Sequence, residues 1–239
     1  MTKIAIIAAL AGEVQPLVRG WRHEMRGDVP LWFEQRGDQH RVAAFGGIGV
    51  AAAARALAAI EHDGPAHRII SIGWTGALRH EHAPGEAFRV AAVIDAATGE
   101  RFSCAYQRGP DDALEQIPLV LATLARFANP PEKRELLEKY GADFVDMEAA
   151  GLARIAAARG IPFACVKAVS DGPAEPLPDF SRFIDARGQL QVARFSAYAL
   201  TRPWYLPALI RLGKQSKKAA LSLRSSLLAI LENVATATP

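Results

Sequence analysis

A helix followed by a strand, with a carboxylate at the start of one and the end of the other, is the feature that most constrains this sequence. Residues 149–159 are rich in alanine and precede a glycine, so they favour an α-helix. Residues 163–169 are a short apolar run, which is typical of a buried strand. Glu148 opens the helix and Asp171 follows the strand. Because ligands of open α/β sheets bind beyond the carboxyl ends of strands, this pattern predicts an α/β fold with a site near Asp171.

Composition narrows the class of protein. The chain has 239 residues, half of them apolar, which is enough to bury the core of one domain. The net charge of +3 is modest and arises mainly in the C-terminal segment, so nucleic acid is not indicated as a partner. The two cysteines lie far apart and have no His or Cys at metal-ligand spacing. The sequence therefore predicts neither a metal site nor a disulfide framework, and it favours a reducing, cytoplasmic location.

Hydrophobic patterning predicts further elements on either side of the central unit. The predicted strands are residues 3–9, 31–36, 40–45, 69–73, 88–95, 101–106 and 118–123, and the predicted helices are residues 50–60, 130–140, 190–200 and 203–234. Asn129 is the expected cap of the second of these helices, and residues 111–116 are predicted to be a polar connector. The apolar start of the chain also imitates a short signal peptide, although a buried first strand suits its isoleucines better.

Two positions outside the central unit are candidates for a ligand site. Glu13 follows the first predicted strand, where it serves either a ligand or the N-terminus of the next helix. Residues 46–49 read Gly-Gly-Ile-Gly and join a strand to an alanine-rich helix, so the backbone can approach a ligand closely there. Strand-to-helix corners also use glycine for steric reasons alone, so this run does not by itself establish a site.

Met147, Glu148 and Ala149, followed by a helix, a strand led by proline and then Ser170 and Asp171, resemble the signature of the nucleoside phosphorylase and nucleosidase superfamily. The resemblance implies one α/β domain at residues 1–200, with a central twisted mixed β-sheet flanked by helices, and a helical extension at residues 201–239. It also implies cleavage of the N-glycosidic bond of a purine nucleoside without a metal or cofactor. We expect the chain to form a homo-oligomer.

The same resemblance assigns roles to individual residues. Asp171 is expected to protonate the purine at N7, and Glu13 is expected to orient the attacking water. Glu148 would bind the ribose hydroxyls and stay ionised at a helix N-terminus, while Met147 packs against the sugar. Phe127 is the candidate for stacking on the base, with an ordinary core aromatic as the alternative. The other substrate-binding candidates are Gly47, Gly49, Gly73, Trp74 and Ser170.

The sequence departs from the superfamily where its phosphorylases hold phosphate. Relatives commonly carry Gly-Ser-x-Gly at this point, with an arginine three residues before the serine, whereas this chain has Trp74 and Ser71 at the two positions. Since a phosphate dianion favours fixed positive charge, this change favours water as the nucleophile. Phosphate as a co-substrate remains open, with Thr75, Arg79 or Arg101 as substitute groups.

The C-terminal segment, residues 201–239, combines aromatic and aliphatic residues with lysine and arginine. This composition is typical of a helix that lies on an anionic membrane. A helix packed on its own domain or on a partner subunit is the alternative. Residues 183–188 and 200–209 resemble the hopanoid-associated phosphorylase branch, which implies a lipid-linked adenine nucleoside such as adenosylhopane and a location at the inner face of the membrane.

Three other functions stay open at this stage. The first is a methylthioadenosine/adenosylhomocysteine nucleosidase, which would not explain the C-terminal segment. The second is a purine nucleoside phosphorylase, which Ser71 and Trp74 disfavour. The third is a purine-binding protein without catalytic activity, which the joint presence of Glu13, Glu148 and Asp171 disfavours.

Overall fold

The structure is a computed structural model that describes residues 1–105, 118–175 and 177–236, so the connector expected at 111–116 lies outside the described residues. The strands are β1 (Thr2–Ala8), β2 (Arg22–Arg26), β3 (Val29–Arg36), β4 (Gln39–Phe45), β5 (Arg68–Ala77), β6 (Ala87–Arg89), β7 (Ala92–Asp95), β8 (Arg101–Ser103), β9 (Val120–Thr123), β10 (Phe144–Asp146) and β11 (Phe163–Asp171). The α-helices are α1 (Ala11–Val14), α2 (Val50–Glu61), α3 (Pro130–Tyr140), α4 (Ala149–Arg159), α5 (Val192–Leu200) and α6 (Leu206–Thr236).

The strands form a single mixed sheet, as the sequence resemblance predicts. Its order is β2-β3-β4-β1-β5-β10-β9-β7-β8, and β11 pairs with both β5 and β6. Strand β1 pairs in parallel with β4 and β5, and β5 pairs in parallel with β11. The pairs β3–β4, β5–β10 and β6–β11 are antiparallel. Every residue of β11 is buried. Most of its side chains are apolar, as is typical of a strand that has both faces covered. The register between β11 and β5 places Asp171 opposite Gly76.

Buried apolar side chains form a hydrophobic layer on each face of the sheet, and helices pack on these layers. Along β1, Ala5 and Ile7 pack in the layer beneath α2 and α4, while Ile4 and Ile6 pack in the opposite layer. This division follows from the alternation of side chains along a strand. Leu223, Leu227 and Leu231 of α6 belong to the second layer and are almost completely buried. The later part of the C-terminal segment therefore packs on its own domain.

Several predicted elements need correction. β5 continues to Ala77, well beyond the predicted end at residue 73, because its last residues pair with β10 and β11. The single strand predicted at 88–95 is two strands, since β6 pairs with β11 while β7 pairs with β8 and β9. The polar edge strand β2 carries no clear alternation and was not expected. The cap of α3 is confirmed, with Asn129 accepting a hydrogen bond from the backbone of Glu132 at 3.0 Å.

The first part of the C-terminal segment is more exposed than the rest. A short 3₁₀ turn at Pro203–Tyr205 joins α5 to α6. Here Leu200, Trp204 and Ile210 are 75%, 68% and 58% exposed, which is unusual for large apolar side chains. Among the described residues, no helix combines the length and apolar character needed to cross a bilayer.

Candidate active site

A cavity of about 260 Å³ lies where β10 and β11 end, and Glu13, Glu148 and Asp171 all line it. These three carboxylates come from distant parts of the chain and are at most 9% exposed. The elements before and after each of them, β1 with α1, β10 with α4, and β11, fix their directions. The structure therefore brings together the three acids that the sequence singles out.

Glu13 is held by three backbone N–H groups. Its Oε2 accepts hydrogen bonds from Ala9 at 2.9 Å and Leu10 at 2.8 Å, and its Oε1 accepts one from Trp74 at 2.7 Å. Burial raises the pKa of Glu13, although these N–H groups and Lys167 act in the opposite direction. Glu13 therefore binds backbone groups at the start of its own helix and also lines the cavity.

Glu148 reaches across to the glycine turn before α2. Its Oε1 accepts a hydrogen bond of 2.8 Å from the backbone N–H of Gly49. Burial, assisted by the neighbouring Asp146 carboxylate, raises the pKa of Glu148 to about 8. The expectation that a helix N-terminus keeps Glu148 ionised is therefore wrong, since its side chain forms no cap hydrogen bond with α4.

Glu148 stands at the N-cap position of α4, but Asp146, two residues earlier, makes the side-chain hydrogen bond to the start of this helix. Its Oδ2 accepts a hydrogen bond of 3.0 Å from the backbone of Ala149 and lies 2.8 Å from Nζ of Lys167. Its Oδ1 accepts a hydrogen bond of 2.6 Å from the Thr123 hydroxyl. Burial alone would lower the pKa of Lys167, but the Asp146 carboxylate raises it above its ordinary value. Sequence reasoning missed this pair because its members lie on different strands.

Asp171 also has a partner that the sequence did not indicate. Its Oδ2 lies 2.5 Å from Nζ of Lys133, which α3 contributes, and its Oδ1 accepts a hydrogen bond of 2.7 Å from the Ser170 hydroxyl. Both Lys133 and Asp171 are 3% exposed. Lys133 is one of several charged residues on α3, so no feature of the sequence separates it from the exposed ones.

The remaining candidates divide into two groups. Met147, Phe127, Trp74 and Ser170 line the cavity. Phe127 also packs edge-on against Phe180, which lines the cavity too, with ring centroids 5.2 Å apart.

The other three candidates, Gly47, Gly49 and Gly73, support the site from outside the lining. A Cβ on Gly73 would lie 3.0 Å from Oε1 of Glu13, and the backbone N–H of Gly49 binds Glu148. Gly47, at a φ of +106°, packs against the carbonyl groups of Arg187 and Gly188. These glycines therefore let the backbone approach the acids and the 187–188 turn closely.

The charged and titratable residues that line the cavity are acidic. They are Glu13, Asp146, Glu148 and Asp171, and the described lining contains neither lysine nor arginine. Arg79 lies outside this lining and pairs with Asp143 at 2.7 Å, Arg101 lies on β8, and the Thr75 hydroxyl donates to the carbonyl of Val145 at 2.7 Å. The residues expected from the sequence as substitute phosphate ligands thus lie elsewhere or are already hydrogen-bonded.

Within the described part of the chain, no cluster of His, Cys, Asp and Glu is arranged to hold a metal ion.

A second cavity of about 850 Å³ adjoins the first. The two share Trp74, Phe180, Leu212 and Ser216 in their linings. The second cavity lies between α1 and α6, and most of its remaining lining is apolar or small. The indole N–H of Trp74 is buried and lacks a hydrogen-bond partner among the described residues. The two cavities are therefore neighbours that share part of their walls, including Trp74.

The fold and the acid-lined cavity define an α/β protein with a small-molecule site at the carboxyl ends of its strands. Residues 119–201 match the family model of the phosphorylase superfamily. This match covers about a third of the chain, including the residues that carry the sequence motifs, and it agrees with the resemblance that those motifs show.

Solved structures share this fold over nearly the whole chain. A Helicobacter pylori MTAN mutant with 5′-methylthioadenosine in its active site has a TM-score of 0.73 at 14% identity, covering 97% of this chain and 99% of that one. The Streptococcus pyogenes S-adenosylhomocysteine nucleosidase has a TM-score of 0.72 at 19% identity, with 97% of each chain covered. The futalosine hydrolase of Helicobacter pylori also has a TM-score of 0.72, at 14% identity and with 97% of each chain covered. None of the curated proteins compared with the chain matches it.

Proposed function

We propose that this protein hydrolyses the N-glycosidic bond of an adenine nucleoside. The observation that carries the proposal is the convergence of Glu13, Glu148 and Asp171 on one buried cavity. The reaction needs a proton for the departing base, stabilisation of a positively charged ribose and an oriented nucleophile, and each demand suits one of these carboxyl groups. The nucleosidase structures that share the fold support the same chemistry.

The departing base lies beside Asp171 in this proposal. The side chains of Ser170 and Phe127 complete this part of the cavity, where Phe127 provides an aromatic surface for a purine. Protonation of the base by a positioned acid contributes about 10²–10⁴ in rate, because it converts a poor leaving group into a neutral one.

Glu148 and Met147 face the ribose. Glu148 carries a proton in the empty cavity near neutral pH, since its pKa is raised to about 8. Positive charge that develops on the sugar favours the ionised form, so Glu148 releases its proton to solvent as the transition state forms and takes one back from solvent when the products leave. Its bond to the N–H of Gly49 keeps it oriented in either form.

Glu13 is the base that orients and deprotonates water. Three backbone N–H groups fix its carboxyl group, and its raised pKa suits it to accept a proton. Water is favoured over phosphate because the described lining of the cavity contains four acidic residues and neither lysine nor arginine. The cavity lining therefore offers no fixed positive charge to hold a phosphate dianion.

For the substrate we propose a lipid-linked adenine nucleoside such as adenosylhopane, as the resemblance to the hopanoid-associated branch implies. The second cavity supports this choice, because a nucleoside in the first cavity leaves about 850 Å³ for an apolar substituent beyond Trp74. Phe195, Leu209 and Leu221 contribute apolar surface there. A methylthioadenosine/adenosylhomocysteine nucleosidase is the alternative, favoured by the structural similarity to the MTAN mutant that holds 5′-methylthioadenosine.

The exposed apolar residues near the start of α6 are proposed to contact an anionic membrane. Trp204, Leu206 and Ile210 are exposed, and Arg211 and Lys214 provide positive charge beside them. Leu209 and Lys217 of the same helix line the second cavity, so a lipid substrate would enter from this side.

Deleting residues 202–239 is an unsuitable test of this contact, because it removes Leu223, Leu227 and Leu231 from the core. The double variant Trp204→Ser/Ile210→Ser is expected to lose flotation with anionic liposomes. Met25→Ser, which changes an exposed apolar residue on β2, is the matched control. Unchanged flotation would contradict membrane contact. Loss of a homo-oligomer by the double variant, measured by ultracentrifugation, would assign the patch to a partner subunit instead.

The substrate is tested by incubating the protein with adenosine, methylthioadenosine and an adenosylhopane mimic, with and without phosphate, and measuring free adenine. We expect adenine without phosphate, and the highest kcat/KM for the mimic. Preference for methylthioadenosine would favour the alternative substrate. Absence of adenine in every case would leave a purine-binding protein without activity.

A further inference from the structure

Lys133 meets Asp171 inside the protein. Its Nζ lies 2.5 Å from Oδ2 of Asp171 and 2.7 Å from the carbonyl oxygen of Gly172. A Cβ on Gly76 would lie 3.0 Å from this Nζ, so the ammonium group fits closely between β5 and the end of β11. α3 fixes the lysine from its other side, since this helix is capped at both ends.

This contact creates a difficulty for the proposed reaction. In this contact Lys133 is the donor and Oδ2 of Asp171 is the acceptor. Oδ1 of Asp171 likewise accepts a hydrogen bond from the Ser170 hydroxyl. A carboxyl group that only accepts hydrogen bonds has no proton to give to a departing base, whereas the ammonium group of Lys133 does.

The other charged groups near Lys133 do not replace it. Asp146 and Arg126 line the same small space beside Phe127. Asp146 is paired with Lys167, and Arg126 is paired with Glu132 on α3. Glu13 and Glu148 line the cavity with Asp171, but each accepts its own backbone hydrogen bonds. Lys133 is thus the cation in direct contact with the proposed acid.

We propose that Lys133 supplies the proton that Asp171 passes to the departing base. An N–H bond of Lys133 breaks as Oδ2 of Asp171 takes the proton, and the resulting carboxylic acid transfers a proton to a ring nitrogen of the purine. The C1′–N9 bond breaks with its electron pair moving to the base, which leaves neutral. Water forms the new bond at C1′ and gives its proton to Glu13. Exchange with solvent then returns this proton to Lys133, so hydrolysis consumes no net proton.

This inference rests on the proposed function. It gives Lys133 a role in proton supply in addition to its role as the partner of Asp171 in a buried ion pair. The variant Lys133→Arg separates these two roles. Arginine keeps the positive charge but does not release a proton in proteins. If Lys133 supplies the proton, Lys133→Arg lowers kcat for adenosine by about 10²–10⁴, the usual contribution of acid catalysis. KM changes much less, because the charge beside Asp171 is retained.

A substrate whose leaving group needs no proton provides the control. 4-Nitrophenyl riboside releases nitrophenolate directly, so Lys133→Arg should cleave it at nearly the wild-type rate. Equal losses on the two substrates would show that the variant disturbs the site generally and would overturn the proposal. Wild-type activity of the variant on adenosine would overturn it as well, whereas a wild-type protein that releases no adenine would instead refute the proposed function.

Lys133→Met provides a second arm if arginine does not fit. An ammonium group retains its proton to higher pH than a carboxyl group does. In this variant only Asp171 can hold the transferable proton, so the alkaline limb of the kcat profile for adenosine should move to lower pH. An unmoved alkaline limb in a variant that unfolds at the wild-type temperature would contradict proton supply by Lys133.

Discussion

Asp146 and Lys167 form a buried ion pair beside Glu148, with 2.8 Å between Oδ2 and Nζ and side chains that are 0% and 1% exposed. The two groups influence Glu148 in opposite directions: the Asp146 carboxylate raises its pKa and the Lys167 ammonium lowers it. Because Asp146 also caps α4 and binds Thr123, the pair joins the end of β10, the end of β9 and the middle of β11. It therefore stabilises the sheet and sets the charge of the cavity.

Lys167→Met is expected to destabilise the protein by about 3–5 kcal/mol, because it leaves the Asp146 carboxyl group buried without its counter-charge. Denaturant unfolding followed by circular dichroism measures this change. Lys214→Met, on the exposed side of α6, is the matched control and should change the stability little. A Lys167→Met protein as stable as wild type would mean that water reaches Asp146.

The raised pKa of Glu148 makes stability depend on pH. The folded protein keeps a proton on Glu148 up to about pH 8, whereas the unfolded chain releases it near its ordinary value of 4.5. This contribution to stability is fully present below pH 4.5 and is lost as the pH rises to about 8. Unfolding temperatures should therefore fall across this range.

Glu148→Gln should make this fall smaller, because glutamine does not titrate. Part of the slope should remain, since burial also raises the pKa of Glu13. The measurement is thermal unfolding of both proteins at a series of pH values. If the variant and wild type keep a constant difference in unfolding temperature, Glu148 does not carry the proton. The variant should also turn over the nucleoside more slowly, since glutamine cannot ionise as positive charge develops on the ribose.

Asp171→Asn should remove most turnover of the adenine nucleoside. Because it also removes the counter-charge of the buried Lys133, it should lower the stability, so the fold of the variant is checked by circular dichroism. Asparagine fills the same space and still accepts a hydrogen bond from Lys133, but it cannot pass on a proton. The loss in kcat should be about 10²–10⁴. Asp38→Asn, in the exposed turn between β3 and β4, is the control for the change of carboxylate to amide. Full activity of the Asp171 variant would refute the acid role.

Gly47→Ala should destabilise the protein by more than backbone strain alone. Gly47 has a φ of +106°, and a Cβ there would lie 2.8 Å from the carbonyl oxygen of Gly188. Gly37→Ala is the matched control, because its φ of +60° also requires the left-handed region but no atom lies within 4 Å of its Cβ. The control should cost about 1 kcal/mol, and equal losses for the two variants would show that the 187–188 turn moves aside.

Much of the fold could be predicted from the sequence, because its signals are local. The alanine-rich helix α4 has the bounds expected, and β11 begins at Phe163 as predicted. The apolar run in β1 identifies a buried strand, since alternate side chains fill the two hydrophobic layers. The extension of β5 to Ala77 could not be predicted, because it depends on pairing with β10 and β11 rather than on its own residues.

The cavity was predictable only in part. Glu13, Glu148 and Asp171 stand at element boundaries, where position in the sequence indicates position at the sheet edge. Lys133 and Asp171 are 38 residues apart, and their contact arises from the packing of α3 against the end of β11. Lys167 shares β11 with Asp171, but its partner Asp146 lies on β10, so its position on its own strand does not indicate this pair. Partners joined by tertiary packing leave no such local signal.

The central claim is tested most directly by following the oxygen that reaches C1′. The wild-type protein is incubated with its adenine nucleoside in phosphate-free buffer made with ¹⁸O-labelled water, and the released sugar is analysed by mass spectrometry. Our account predicts free adenine and a sugar that carries one ¹⁸O atom at C1. Adenine that forms only after phosphate is added, together with a sugar 1-phosphate, would contradict it.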